Sequence, residues 1–561
     1  MKHRRTKTDT DLVLVAQISS AISIAAFLYF LRQDQIMLFG DAVAHMNIAR
    51  RVIDSRTPGL LQLGTVWLPL PHLLMLPFVA FRWLWQTGIG GSFPSMLSYV
   101  FSVLGIFRLV RAVLPDAPDS RVRAAVRFTA WLAAASLGLN PNVIYMQTTA
   151  MTEAVYLAFF LWTLVFFVET LKLCRAGDHP RAHRALLRTS LCLAAASLTR
   201  YDGWFLTAMV VTIAGVLALT PNFRPLWPGV LKLAMIAAIA PVVWLGYNAA
   251  VYGNPLEFAN GPYSAKAIEQ KTAISGFPPH PGSDDLKTSF HYFFKAGQLN
   301  LAAGGILERD QSFATRILQI LWVAALLLGT SIVVLFQRRL WPTLLLWIPV
   351  PFYMQSIAHG GVPIFVPVWW PWSYYNVRYG VQLIPAFAAL GAIAGYGLIR
   401  FAATARTAVI IGGCFASLTL VTYIHAGKTG VVSYQEAVVN SRTRIALEKQ
   451  LASILETLPP NSNFLMYLGD HPGAFQRAGI PLSRVINEGN HRPWKRPTDP
   501  AGLWERALGH PSAYVDYVVS LDSDEVSKNV NKDELDPILV LHVTGQPSAT
   551  IYKARKSNQP R

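Results

Sequence analysis

Gly40-Asp41-Ala42-Val43-Ala44-His45-Met46-Asn47-Ile48-Ala49-Arg50-Arg51-Val52-Ile53-Asp54 follows one apolar run and precedes a proline-broken one, Val66-Trp67-Leu68-Pro69-Leu70-Pro71-His72-Leu73-Leu74. A carboxylate at the mouth of a membrane helix is costly to keep beside lipid, which makes Asp41 a candidate functional residue. The residues behind it are spaced as a helix. Val43, Met46, Ala49, Val52 and Ile53 share one face, while Asp41, His45, Arg51 and Asp54 lie elsewhere. An amphipathic helix of this kind rests on a membrane surface.

Working outward, composition places the whole chain in a bilayer. Of 561 residues, 53% are hydrophobic and 14% charged, where a soluble protein carries roughly a quarter charged residues. Apolar runs of spanning length recur through the first three quarters, so the sequence reads as an α-helical polytopic membrane protein. The net charge of +18 is scattered over short loops. That pattern fits cytoplasmic loops under the positive-inside rule and argues against a nucleic-acid partner. Cys174 falls in a predicted inner loop, and Cys192 and Cys414 fall in spans. No disulfide is expected, and no metal-ligand spacing is present.

Charge placement sets the expected topology. The basic loops Arg108–Arg127, Lys172–Arg188, Arg338-Arg339 and Arg400–Arg406 belong on the cytoplasmic side, joined by the weaker Pro221–Lys232. The run from Leu12 to Leu31 follows a basic stretch and shows no cleavage site. It reads as a retained anchor with a cytoplasmic amino terminus. With it, about eleven spans of ~20 residues are expected, the others near 95–112, 125–140, 149–171, 186–199, 204–220, 227–250, 313–336, 340–356, 380–400 and 406–424. Segment 67–86 is broken by Pro69, Pro71 and Pro77, so it is read as a re-entrant or surface helix that returns outward.

The expected organisation is a membrane unit over 1–425, with outer loops 32–66 and 251–312, and a small extracytoplasmic α/β domain over 426–561. The loop 251–312 contains Pro278-Pro279-His280-Pro281-Gly282 and reads as a lid or binding loop. Tyr434–Leu458 has helical periodicity. Phe464–Leu468, Tyr514–Ser520, Ile538–Val543 and Thr550-Ile551-Tyr552 read as strands.

Every candidate chemical residue falls on the expected outer side. Asp41 suits a general base, and it equally suits a helix cap. Glu153, in Met146-Gln147-Thr148-Thr149-Ala150-Met151-Thr152-Glu153-Ala154, opens a span, where an acid also suits the helix dipole. Arg200 and Asp202 sit in Leu198-Thr199-Arg200-Tyr201-Asp202-Gly203-Trp204 and are close enough to pair. Arg378 lies in Tyr374-Tyr375-Asn376-Val377-Arg378-Tyr379-Gly380. Trp369, Trp370, Trp372, Tyr374 and Tyr375 precede it as an interfacial aromatic belt whose faces also suit a sugar. His45, His72 and His359 show no metal-site spacing. In Gly469-Asp470-His471-Pro472-Gly473, turn chemistry is the simpler reading.

The order of first helix, Gly-Asp, surface helix and Leu-Pro-Leu-Pro-His resembles the GT-C superfamily of membrane glycosyltransferases. The similarity is greatest to the protein O-mannosyltransferase and aminoarabinose-transferase branch, glycosyltransferase family 39. Ala42 stands where that branch often has a second acid, and the proline pair is split by Leu70. The resemblance implies an inverting transferase of a bacterial-type inner membrane. It would move a sugar from a polyprenyl-phosphate donor to a lipid, glycan or protein acceptor on the outer face. It implies Asp41 and Glu153 as catalytic acids, and Arg200 and Arg378 as the donor-phosphate ligands. His45, His72, Tyr375 and Trp372 would then contact acceptor or sugar. No fixed cofactor is implied, though Glu153 leaves room for a divalent cation. A lipid or solute transporter or flippase is the alternative, and it calls for inverted repeats with broken helices. An oligosaccharyltransferase calls for a Trp-Trp-Asp motif in the outer domain, and Trp369-Trp370-Pro371 is not one.

Overall fold

In the computed structural model, which describes residues 9–115, 119–274, 276–303, 311–469, 471–490 and 502–555, each apolar run expected to span falls on a helix except 340–356, which divides between a 3-10 stretch Arg338–Trp347 and an 11-residue helix Pro349–His359 that starts at a proline. Seven segments are long and apolar enough to cross a membrane. They are Thr10–Arg32, Ile89–Val113, Glu153–Arg175, Arg224–Tyr252, Phe313–Phe336, Val377–Phe401 and Ala405–Leu455. The other expected spans lie on helices that fall short of that measure. Asp202–Ala218 has 17 residues, and His179–Ser197 carries His183, Arg184 and Arg188. Local chemistry sets the helix ends. The Asp9 side chain accepts from the Leu12 amide at the start of the first helix, and Arg32 sits in its last turn.

Ion pairs show which helix ends share a face. Arg111 ends the helix Ile89–Val113 and bonds Asp9 at 2.7 Å, while Arg127 bonds Asp11 at 2.7 Å. The basic loop 108–127 therefore lies on the face where the first helix starts. Segment 67–86 stays on the opposite face at both ends. The Leu70 amide donates to the Leu198 carbonyl at 3.0 Å, and Gln86 Nε2 donates to the Arg477 carbonyl at 3.0 Å. Its helix Leu70–Val79 has 10 residues. That is ~15 Å of rise, about half the hydrocarbon thickness.

The stretch 251–312 holds more structure than its composition suggests. Asp285 caps a helix over Leu286–Leu301, accepting from the amides of Lys287 and Thr288. One side of this helix is buried against residues 377–383. A Cβ at Gly380 would stand 2.3 Å from the Ala296 carbonyl carbon, so glycine is what lets the two backbones meet.

Helix Ala405–Thr429 turns at Gly430 into Val432–Leu455. A five-stranded sheet follows in the order β2-β1-β3-β5-β4. Its strands are β1 Phe464–Met466, β2 Val485–Ile486, β3 Tyr517–Leu521, β4 Leu535–Leu541 and β5 Ala549–Ala554. β2 and β3 run parallel to β1, while β5 is antiparallel to both β3 and β4. β2 escaped the sequence reading because two buried residues carry no alternation. His471 is buried at the turn after β1, and Asp470 lies outside the described residues.

One hydrophobic cluster runs from Val15 and Phe27 through the bundle to Phe464, Val519 and Ile551 of the sheet. The surface helix Gly40–Arg51 is wedged in this seam. Asn47 Nδ2 donates to Gln476 Oε1 at 3.0 Å and to the Pro472 carbonyl at 3.2 Å, and its Oδ1 accepts from Trp85 Nε1 at 3.2 Å. Asp54 accepts from the amides of Leu482 and Ser483. Removing the Asn47 amide leaves buried partners unsatisfied. Asn47→Ala is expected to destabilise the protein by about 1–3 kcal/mol, seen as a lower Tm in detergent. An unchanged Tm would show that this seam holds nothing together.

Candidate active site

Asp41 stands in the first turn of its helix. The capping position is Phe39, which makes no side-chain cap bond, so Asp41 is not spent on capping. Its Oδ2 instead accepts from Arg378 Nη2 at 2.5 Å, across 337 residues of sequence. Arg378 is held from a second side by Glu436, with Nη1 to Oε1 at 2.5 Å and its backbone amide to Oε2 at 2.9 Å. Glu153 Oε1 lies 3.7 Å from Arg378 Nε and accepts from Arg200 Nη1 at 3.1 Å. Arg200 also donates to Asp202 Oδ1 at 3.2 Å, to Thr152 Oγ1 at 3.0 Å and to the Tyr353 hydroxyl at 2.9 Å.

Two guanidinium groups thus carry four carboxylates, a formal net charge of −2. The Tyr379 ring takes both cations, with Arg200 at 5.0 Å and Arg378 at 5.1 Å from its centroid. Phe39 packs against Arg378 at 5.1 Å. The acids differ in access. The Asp41 side chain is 42% exposed, against 1% for Glu153, 2% for Asp202 and 0% for Glu436. Some polar atoms here are buried without a hydrogen-bond partner, namely Glu153 Oε2, Arg378 Nε and both amide atoms of Gln382. Unsatisfied buried groups call for an explanation, and a ligand is one that a functional site supplies.

The four charged residues singled out from sequence therefore converge. Arg200 does pair with Asp202, and it reaches Glu153 as well. The histidines sit differently. His45 and His72 are buried, with Nδ1 and Nε2 2.9 Å apart, and Trp67 lies 4.6 Å from the His45 ring. Tyr375 is half-exposed and bridges Phe365, and burial followed by the Asp41 charge pushes its phenol up. Trp372 is half-exposed three residues before it. Among the described residues, no three of His, Cys, Asp and Glu gather as a metal-holding group.

Glu436, Tyr353 and Tyr379 were missed by the sequence reading. Glu436 did leave a signal. With Arg444 and Glu448 it lies on the same helix face as the buried Val432, Ala437, Leu447 and Leu451. Charges on a core stripe must be paired to be tolerated.

With this geometry in view, the solved structures can be compared. ArnT from Cupriavidus metallidurans bound to undecaprenyl phosphate superposes with a TM-score of 0.55 at 13% identity, over 97% of this chain and 98% of that one. Its apo state gives 0.50 at 12% identity, over 95% and 97%. The fold is GT-C. The archaeal oligosaccharyltransferase AglB from Archaeoglobus fulgidus gives 0.44 at 12% identity, over 91% of this chain and 69% of that one. No family model and no curated protein matches the sequence.

The buried imidazoles generate a pH prediction. Burial pushes His45 down to about 3, with Arg200 and Arg378 acting in the same direction, and it pushes His72 down as well. Both rings are neutral at pH 7, one donating to the other. The unfolded chain takes up protons at these rings below about pH 6.5, and the folded chain does not. Their contribution to stability is complete above pH 6.5 and is lost as pH falls from there toward 3. Tm is expected to fall between pH 7 and pH 5, and to fall less in the His45→Asn/His72→Asn variant. Equal slopes would remove the pair as the cause.

Proposed function

We propose that this chain transfers a sugar from a polyprenyl-phosphate-linked donor to a lipid, glycan or protein acceptor, with inversion at the anomeric carbon. The observation that carries the reading is Asp41, the one open carboxylate of a buried acid–guanidinium network, within a GT-C fold. The basic loops on the opposite face fit a cytoplasmic side under the positive-inside rule, which supports an Asp41 that faces outward from a bacterial-type inner membrane.

In this scheme Asp41 takes the proton from an acceptor hydroxyl or amine. The freed electron pair attacks the anomeric carbon from the face opposite the phosphate. The carbon–oxygen bond to phosphate breaks, and the carrier phosphate leaves with those electrons. Arg200 and Arg378 would stabilise its growing charge. Each guanidinium already carries two acids, and only the Arg378–Asp41 bond has an exposed partner. The donor phosphate therefore exchanges with Asp41 on Arg378 and releases the carboxylate toward the acceptor. Glu153, held by Arg200, keeps one oxygen for orienting the acceptor.

Two variants separate the roles. Asp41→Asn keeps the side chain's size and removes the base, so transfer is expected to fall by about 10²–10⁴-fold with donor still bound. Full activity would refute the assignment of the base. Arg378→Ala is expected to lose the carrier lipid. Native mass spectra of wild type, Arg378→Ala and Arg200→Ala, purified in mild detergent, read this directly. A polyprenyl phosphate or its sugar conjugate on the wild type alone supports the proposal. Bulk phospholipid bound equally by all three would turn the reading toward a transporter.

A further inference from the structure

The helix Glu153–Arg175 carries a second acid, Glu169, about 24 Å along its axis from Glu153. One oxygen of Glu169, Oε2, is buried without a hydrogen-bond partner. No cation among the described residues pairs with this carboxylate. An acid on a membrane helix is costly to keep there, and it marks a functional site.

The neighbours of Glu169 show what it faces. From Glu153 to Leu171 every residue of this helix is buried except Phe159, Trp162, Phe166 and Glu169. These fall at i, i+3, i+7 and i+10, a single stripe. The stripe floors a groove on the lipid side of the bundle. The helix Ile89–Val113 borders it, since the Phe101 carbonyl accepts from Trp162 Nε1 at 2.9 Å, and Leu97 and Phe101 on that border are exposed. The helix His179–Ser197 borders it through Arg188.

Charges of both signs gather along this stripe. Arg108 lies 5.1 Å from the Trp162 ring, that ring lies 5.2 Å from the Phe166 ring, and Arg188 lies 5.6 Å from Phe166. Glu169 follows Phe166 by one turn. Both guanidinium groups rest on rings, and neither pairs with an acid among the described residues. Arg108 stands one turn before Arg111, which bonds Asp9 at the start of the first helix. The charged end of the groove therefore lies toward the face of the basic loop 108–127. From Arg108 back to Leu97 the apolar border runs about 16 Å toward the middle of the bundle.

Two guanidinium groups and one carboxylate call for a head that carries an anion and a hydrogen-bonding cation together. A head with a phosphate alone leaves Glu169 unmatched and sets a second negative charge near it. A quaternary ammonium has no N–H to donate to the buried oxygen. A phosphoethanolamine head supplies both groups.

We propose that this groove binds phosphatidylethanolamine, with its phosphate on Arg108 and Arg188, its ammonium on Glu169 and an acyl chain along Phe101 and Leu97. The site is at the other end of the helix from Glu153 and stands whether or not the chain transfers sugar.

The experiment uses the full chain in detergent. Phosphatidylethanolamine, phosphatidylcholine and phosphatidylglycerol of matched acyl chains are titrated while Tm is followed. A lipid that binds only the folded state raises Tm with concentration. The wild type is expected to respond to phosphatidylethanolamine at the lowest concentration. Glu169→Gln keeps the side chain's size and removes an unpaired acid, so its lipid-free Tm should equal or exceed wild type. Its affinity for phosphatidylethanolamine should fall about tenfold or more, to that for phosphatidylcholine, the loss of one charged hydrogen bond. Arg188→Gln should weaken both of these lipids alike, because they share the phosphate. Equal wild-type responses to all three lipids are the result for non-specific annular contact and overturn the proposal. A stronger response to phosphatidylglycerol is the result for arginines acting alone and overturns it too. So does a Glu169→Gln protein that keeps the wild-type preference for phosphatidylethanolamine, whatever its lipid-free Tm.

Discussion

The guanidinium of Arg378 bonds Asp41 on the first surface helix and Glu436 on the helix after Gly430, closing a loop over most of the chain. The arrangement depends on arginine's geometry. A planar fork can serve two carboxylates at once and still stack on Tyr379 and Phe39, which the point charge of a lysine could not do. Buried acids are tolerated only when paired, so each partner requires the others. Glu436 has no solvent access, and without Arg378 it would be an unpaired charge in a dry interior.

The second pair of residues extends this logic. Arg200 ties the start of the helix Glu153–Arg175 to Asp202 and Tyr353. Glu153 lies between the two guanidinium groups, bonding one and close to the other. Helix starts that are far apart in sequence are thereby fixed around one small volume. The apolar bundle sets where those helix starts can be, and the ion pairs decide which side chains face inward.

Asp41, Glu153, Arg200 and Arg378 were legible in the sequence because each is a charge at the edge of an apolar run, on one side by charge parity. That reasoning finds residues that ought to be near one another, but it says nothing of who pairs with whom. The 337-residue separation of Asp41 and Arg378 leaves no spacing to read. Glu436 was passed over because its helix looked soluble, and only its position on a buried stripe marked it. The helix Leu286–Leu301 was hidden by the glycines and prolines before it, although Asp285 announces it as a cap. The histidines were legible as residues, but their pairing was not, since 27 positions separate His45 from His72 and a buried neutral pair has the same sequence signature as an exposed one.

The continuous core between bundle and sheet has a consequence for how the protein is made. Asp41 emerges early from the ribosome, while Glu436 and the sheet that wedges the Asp41 helix arrive only with the last quarter of the chain. Until that quarter is made and docked, Arg378 lacks its second acid and the helix Gly40–Arg51 lacks its far wall. The bundle therefore forms before its polar network can close, and Asp41 and Arg378 wait on residues made some four hundred positions after Asp41 for their last partner, Glu436.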